Sequence, residues 1–309
     1  TVTRDKAAQT ITFNNPGDQL TTATVNLSAT GGGSTSPVTF AVTSGPASLT
    51  GGNVLTFTGA GSVTITASQD GDATHYAATP VARTFNVTKA TATVTLNSLA
   101  QTYDGNPKPI GATTTPAGKT VNFTYDSSST APTNAGSYPV VGTIDDPIYQ
   151  GSNSGTLVIA KASQTITFAS PGTQLSNATV NLSATGGASN NPVTFAVTGG
   201  PAVITNDTTL TFTGTGSVTV TASQAGNANY EAATPVARTF DVIAPPEITL
   251  SGNGQPIADG DATPSTDDHT DFGSVALTGG TLARTFTVTN GGMVDLLLTG
   301  TPKVEIGGT

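Results

Sequence analysis

An all-β chain, built as a tandem array of small sandwiches, is what the sequence predicts, and three observations predict it. Residues 9–87 return at 164–242 without a gap, and 56 of the 79 aligned residues are identical. Within each copy, apolar and hydroxyl residues alternate with period two over short runs, the signature of half-buried strands. Clusters of Gly, Pro, Asn and Asp (NNPGDQ, GGGSTSP, SGPA, TGAG, QDGDA) separate those runs, as turns do. A repeat this long fixes the architecture before any other feature is read.

The strands of one copy follow in order. In QTITF, Ile11 and Phe13 share a face with Gln9, while Thr10 and Thr12 take the other. Val25, Leu27 and Ala29 share a face in VNLSAT, Val38, Phe40 and Val42 in VTFAVT, Leu55 and Phe57 in NVLTFTG, and Val63, Ile65 and Ala67 in SVTITAS. In VARTFNV, Arg83 has the parity of Val81, Phe85 and Val87, which places it at a rim. A short strand is expected near Ala47–Thr50. About seven alternating strands make an immunoglobulin-like sandwich. With no Cys and no Trp, it is not the antibody type.

Composition bounds the rest. A chain of 309 residues has room for three or four such domains. Only 35% of residues are hydrophobic and 6% aromatic, so each core must be thin. The lack of Cys excludes disulfides, thiolate nucleophiles and thiolate metal sites together. Ten basic residues against 19 acidic ones give a net charge of −9, which repels phosphate backbones and argues against nucleic-acid partners. No apolar run reaches the ~18 residues of a membrane span. The chain does not open on a signal peptide. Its start, TVTRDKA, reads like FNVTKATATV at 85–94 and TLVIAKASQTI at 156–166: a last strand, a basic residue, then a new first strand. Residues 1–7 are therefore expected to be the end strand of a preceding domain, and the chain a window on a longer array.

Between the copies, residues 89–162 form a different module with strands ATVTL, KTVNFTY, SYPVVGTI and GTLVIAK. Its distinctive stretches are QTYDGNPKPI and NAGSYPV. Read from the residues alone, Tyr103 packs, and Asp104 caps the Gly105–Asn106–Pro107 turn. TYDGNPKPI and NAGSYPV resemble the MBG module, a mostly bacterial immunoglobulin-like domain. The flanking QTITF, SGPA, LTFTGAGSVTITASQ and ATPVARTF blocks resemble the bacterial Ig-like repeats that alternate with such modules. The resemblance covers about 9–243. It implies long secreted or surface proteins used for adhesion or spacing, and it implies no catalytic residues and no defined ligand.

The expected domain order is thus 1–7 as an end strand, 8–88 as the first Ig-like repeat, 89–162 as the MBG-like module, 163–243 as the second repeat, and 244–309 as a partial sandwich. The last begins at the stiff linker Ala244–Pro245–Pro246. IADGD, TDFGSV, RTFTVTN and LLLTGTPKVEI resemble the start of the choice-of-anchor D domain, a hydin-related sandwich. Asn290–Gly291–Gly292 stands where that family has Asn-Thr-Gly. The resemblance implies that about half of that domain lies within the chain, its remainder supplied by further sequence or by another chain.

Candidate chemistry is sparse. Asp259, Asp261, Asp267, Asp268 and Asp271, with His269, gather oxygens in one loop. Calcium takes six to eight oxygen ligands, so this loop is the candidate calcium site, although its spacing is not that of an EF-hand. The alternative is a solvated loop of Asx-turns. No other cofactor is expected. His75 and His269 are the only imidazoles, and the second repeat has Tyr230 where His75 stands, which is foreign to a catalytic role. No nucleophile elbow, carboxylate pair or phosphate loop is present; TGGGS at 30–34 lacks a Lys and a helix.

The expected function is non-enzymatic: a segment of a bacterial extracellular or cell-surface stalk or fibre, its partners being neighbouring domains of the same longer chain. One alternative is an adhesin that binds glycan or protein through loop ends, with Tyr76, Tyr149 and Tyr230 as the aromatic candidates. Another is a filament subunit, in which strand Thr1–Thr3 of one chain completes the C-terminal half-sandwich of the next by strand addition.

Overall fold

The computed structural model describes residues 4–301. Every regular element in it is a strand. The chain divides into two compact units, Thr1–Lys161 and Ala162–Thr309. The strand Thr1–Thr3 invoked for filament assembly lies outside the described residues.

The first unit opens with the first repeat. Its strands are β1 (Thr12–Phe13), β2 (Gln19–Leu20), β3 (Thr24–Asn26), β4 (Ala29–Thr30), β5 (Val38–Ser44), β6 (Ala47–Thr50), β7 (Val54–Phe57), β8 (Gly61–Gln69) and β9 (Val81–Thr88). They make one layer in the order β2-β9-β8-β5, a second in the order β3-β7-β6, and the short pair β1-β4. This is an immunoglobulin-like sandwich, with all its pairs antiparallel except β2–β9, where Gln19 lies opposite Val87. The crossing from β5 to β6 turns on Gly45, whose φ is +97°. A Cβ there would sit 2.2 Å from the Ser62 carbonyl oxygen, so both the left-handed backbone and the close approach demand glycine.

Period-two alternation places the apolar residues as expected. Phe13, Leu55, Val63, Ile65, Ala67 and Phe85 are buried between the layers. Phe13 tilts against Phe40 with centroids 5.3 Å apart, and Phe57 meets Phe85 edge-on at 6.1 Å. Arg83 lies at the rim and donates from Nε to the Phe13 carbonyl at 2.8 Å.

The second module of this unit comprises β10 (Ala90–Thr91), β11 (Thr93–Asn97), β12 (Ala100–Thr102), β13 (Gly111–Thr115), β14 (Thr120–Tyr125), β15 (Gly136–Asp145), β16 (Tyr149–Gln150) and β17 (Ser152–Ala160). A sheet ordered β12-β17-β15-β14 faces the β11–β13 pair. Ile110, Tyr125, Val140, Leu157 and Ile159 fill the space between them, with Tyr103 packed against the cluster. The buried Tyr125 hydroxyl accepts the Ile110 N–H at 2.9 Å. Asp104 accepts the Asn106 N–H at 2.9 Å and pairs with Lys108 at 2.6 Å. The distinctive TYDGNPK stretch therefore packs and caps.

The second unit opens with the second repeat, β18 (Thr167–Phe168), β19 (Gln174–Leu175), β20 (Thr179–Asn181), β21 (Ala184–Thr185), β22 (Val193–Gly199), β23 (Ala202–Thr205), β24 (Thr209–Phe212), β25 (Gly216–Gln224) and β26 (Val236–Ile243). It repeats the first layer as β19-β26-β25-β22, the phenylalanine pairs as Phe168–Phe195 and Phe212–Phe240, and the rim arginine as Arg238 on the Phe168 carbonyl at 2.9 Å.

The last module has β27 (Ile248–Gly252), β28 (Gln255–Ile257) and β29 (Phe286–Asn290), in the order β28-β27-β29. Asn253 and Gly254 turn between β27 and β28 with φ of +50° and +76°, the two positive values that an Asn-Gly hairpin turn requires. Leu250 lies opposite both Val288 and Ile257, so these three share one face of the sheet with Ile248 and Phe286, and hydroxyl residues Thr249, Ser251, Thr287 and Thr289 take the other. Ile248, Leu250, Phe286 and Val288 remain exposed. Among the described residues, this apolar face has no second sheet over it.

Leu55 is fully buried, so Leu55→Ala is expected to destabilise the first sandwich by about 2–5 kcal/mol, and Leu210→Ala the second by a similar amount. Ser62→Ala, on an outer face, is expected to fall within about 0.5 kcal/mol. Calorimetry of the full chain reads all three; a Leu55→Ala variant that melts like the wild type would contradict the packing.

Candidate functional site

Two places concentrate polar side chains: the loop end of each repeat, and the acidic loop near the C-terminus. The loop end of the first repeat is built on two glutamines. Gln69 continues the inward parity of Val63, Ile65 and Ala67 and is only 4% exposed. A buried amide needs partners, and it finds them in the 31–36 loop. Its Oε1 accepts the Gly32 N–H at 2.7 Å, and its Nε2 donates to the Ser36 carbonyl at 2.9 Å. Gln9 holds the same loop from the other side. It accepts the Ser34 N–H at 2.8 Å and donates to the Tyr76 carbonyl at 2.8 Å. Two loops distant in sequence are thus tied together by side-chain amides.

On that frame, Asp72 organises the tip. Its carboxylate accepts the Thr35 N–H at 3.0 Å, the Thr74 N–H at 2.7 Å, the Thr74 hydroxyl at 2.8 Å and the His75 N–H at 2.8 Å. These bonds, Thr35 foremost, hold its pKa well below the usual carboxylate range. His75 Nδ1 lies 2.9 Å from the Thr74 hydroxyl and 3.5 Å from Asp72. This is no acyl-transfer triad, because the hydroxyl and the carboxylate both sit at Nδ1 and the Thr74 hydroxyl is already spent on Asp72. The ring instead covers Gly33, where a Cβ would lie 2.4 Å from Nε2.

The second repeat keeps the frame and changes the tip. Gln224 and Gln164 repeat the two nodes, with the Gly187 N–H 2.7 Å from Gln224 Oε1 and the Ser189 N–H 2.8 Å from Gln164 Oε1. Asn227 replaces Asp72 and caps the Asn229 N–H at 2.8 Å and the Tyr230 N–H at 3.0 Å. Ala188 stands at the Gly33 position and Tyr230 at the His75 position, so both members of that contact change together. Of the aromatic candidates, Tyr76 is 56% exposed, Tyr230 is half-buried, and Tyr149 packs in the second module.

The acidic loop disperses its carboxylates into local turns. Asp261 accepts the Thr263 N–H at 2.9 Å, Asp271 the Gly273 N–H at 2.8 Å, and Asp268 the Thr270 N–H at 3.0 Å and the Thr270 hydroxyl at 2.6 Å. Asp267 is held by its backbone, whose carbonyl takes the Asn253 amide at 3.0 Å. Asp268 is buried, with its pKa lowered by the Thr270 hydroxyl and N–H. Among the described residues, no three acidic or imidazole side chains, Asp259 and His269 included, converge on one point.

The glutamine nodes were the feature that sequence reading passed over. Their signal was present: Gln9 and Gln69 each extend an apolar alternation on its inward side, and both recur in the second copy.

Comparison with known proteins assigns one module. Residues 92–163 match the MBG domain family. No curated protein matches the chain. Similar solved structures include Drosophila N-cadherin EC1-4, at 11% identity over 76% of this chain and 75% of that one with a TM-score of 0.26. Sidekick-1 immunoglobulin domains 1-5 are 12% identical over 83% and 72%, with a TM-score of 0.27. A three-domain titin fragment, I67-I69, is 14% identical over 76% and 99%, with a TM-score of 0.28. These likenesses are too distant to transfer any role, and the sandwich assignment rests on the strand order described above.

Two outcomes are expected. Asp72 is depressed in the folded state, so its stabilising contribution is present above the ordinary carboxylate pKa of about 4 and is lost as pH falls below it. The first sandwich should melt progressively lower on acidification, and Asp72→Asn, which already mimics Asn227, should flatten that slope; equal slopes in the two proteins would remove Asp72 from this role. Calcium binding by the acidic loop requires its dispersed carboxylates to converge. Titration with millimolar calcium is expected to leave the melting temperature unchanged, and a rise that Asp268→Asn abolishes would establish the site.

Proposed function

We propose that the chain is a non-enzymatic structural segment of a bacterial extracellular protein, a stretch of a cell-surface stalk or fibre whose partners are the adjoining domains of the same longer chain. The observation that carries this reading is where the two repeats differ. Of the core residues Ile11, Phe13, Leu27, Leu55, Phe57, Val63, Ile65, Ala67, Ala78, Phe85 and Val87, only Ile65 changes, to Val220. Turns change freely: Gly51–Asn53 becomes Asn206–Thr208, and Thr74–Tyr76 becomes Asn229–Glu231. A site selected for chemistry or for one ligand would keep its tips and let its scaffold drift. Here the scaffold is kept and the tips drift. The MBG match between the repeats supports the same reading.

Loop-end adhesion is less well supported, because Tyr76 has no exposed aromatic counterpart at its equivalent position, which is Glu231. Self-assembly by strand addition has one observation in its favour, the partly exposed apolar face of Ile248, Leu250, Phe286 and Val288, which Phe272 meets at Phe286 through a ring contact of 6.2 Å. Sedimentation over a concentration series tests it, and a monomer at every concentration would eliminate it.

The main reading is tested on intact source cells. Antibody raised against the second module should label the outer surface, and brief external protease should release its peptides. Reactivity found only after lysis would overturn the proposal.

A further inference from the structure

Thr21 occupies an unusual position at the joint between the first repeat and the MBG-matching module. It is 4% exposed, although it stands in the turn that follows the short strand β2. Its N–H donates to the Thr88 carbonyl at 2.9 Å, extending the β2–β9 pairing by one bond. Its hydroxyl then donates to the Ile148 carbonyl and accepts the Ala90 N–H at 3.0 Å. The same Ala90 N–H also reaches the Ile148 carbonyl at 2.9 Å. A hydroxyl has one donor and two acceptor sites, and this one spends them on two separate segments of the neighbouring module.

The linker between the modules is accordingly almost continuous strand. β9 runs to Thr88 and β10 resumes at Ala90. Its parallel partner changes from Leu20, opposite Thr88, to Tyr149, opposite Ala90. Thr21 bridges that change of partner. The turn presented by the second module is itself fixed. Asp146 accepts the N–H groups of Ile148 at 2.8 Å and Tyr149 at 2.9 Å. Lys119 pairs with it at 3.3 Å and lies 4.3 Å from the Tyr149 ring centroid. Lys89, the one linker residue between the strands, donates to the Asp146 carbonyl at 2.6 Å.

The joint after the second repeat begins identically and then fails. Ser176 stands at the Thr21 position, and its N–H donates to the Ile243 carbonyl at 2.9 Å. Ala244 stands where Lys89 does and has no amine to give, and Pro245 stands where Ala90 does. Proline has no N–H, so the bond that Thr21 accepts cannot form there. Among the described residues, the Ser176 hydroxyl has no hydrogen-bond partner.

We infer that the first joint is a lock, with Thr21 as its bolt, which makes the first repeat and the MBG-matching module move as one body, whereas the second joint, which lacks that bolt, pivots at Ala244 ahead of the stiff Pro245–Pro246 pair. The inference does not depend on where the protein resides in the cell. Because the chain has no Cys, paired spin labels can be placed uniquely in the full chain. Labels at the exposed positions Ser62 and Ser154 span the first joint, and labels at Ser217 and Thr289 span the second. Pulsed dipolar spectroscopy should give one narrow distance for the first pair and a broad distribution for the second. Thr21→Val should broaden the first pair, while Thr21→Ser, which keeps the hydroxyl, should leave it narrow. Equal widths for the two pairs in the wild type would overturn the inference, as would an unchanged first pair in a Thr21→Val chain that retains its circular dichroism.

Discussion

Each repeat depends on four phenylalanine rings packed between two layers. With aromatics at 6% of the chain, Phe13, Phe40, Phe57 and Phe85 are the largest side chains in the core of the first sandwich, and their tilted and edge-on contacts are arrangements that ring quadrupoles favour. The remaining core positions are filled by Val, Ile, Leu and Ala. A core this thin has little volume to spare, so the near-identity of its residues between copies follows from packing density. The outer faces are unconstrained by packing and are covered by threonine and serine, which suit strands and remain solvated without charge.

That division explains how so few charges suffice. Charged side chains sit at turns and joints, where they fix backbone: Asp72 at the first loop tip, Asp104 with Lys108 in the second module, and Asp146 with Lys119 beside the linker. Arg83 and Arg238 close the sandwich rims on backbone carbonyls. Electrostatics here shapes loops and leaves the sheets to apolar burial.

The long strands were legible because alternation and turn residues agreed in each of them. β8 and β9 carry unbroken period two, β5 carries it as far as Val42, where its pairing with β8 shifts register, and the rim position of Arg83 followed from its charge at an inward parity. β2, β10 and β16 were not legible. Each is two residues long, and each exists because a parallel partner lies beside it, which local pattern cannot reveal. Gln69 was hidden for a related reason: a polar residue at an inward position looks like the end of a strand until its loop partners are known. Thr21 was hidden in a run of hydroxyl residues, since nothing local separates a threonine that solvates a surface from one that bridges two modules. The five aspartates looked like a cluster because sequence proximity says nothing about which backbone N–H each carboxylate will take.

The parallel pairs have a mechanical consequence. In the first repeat an early strand, β2, lies alongside the last, β9, and the same holds for β12 with β17 and β19 with β26. Tension applied to the two ends of such a domain pulls these partners in opposite directions along their length. Their hydrogen bonds are then strained side by side and must yield together, whereas strands peeled from one end would release them singly. A chain assembled from such domains resists stretching through the pairing of its own ends, before any core is exposed.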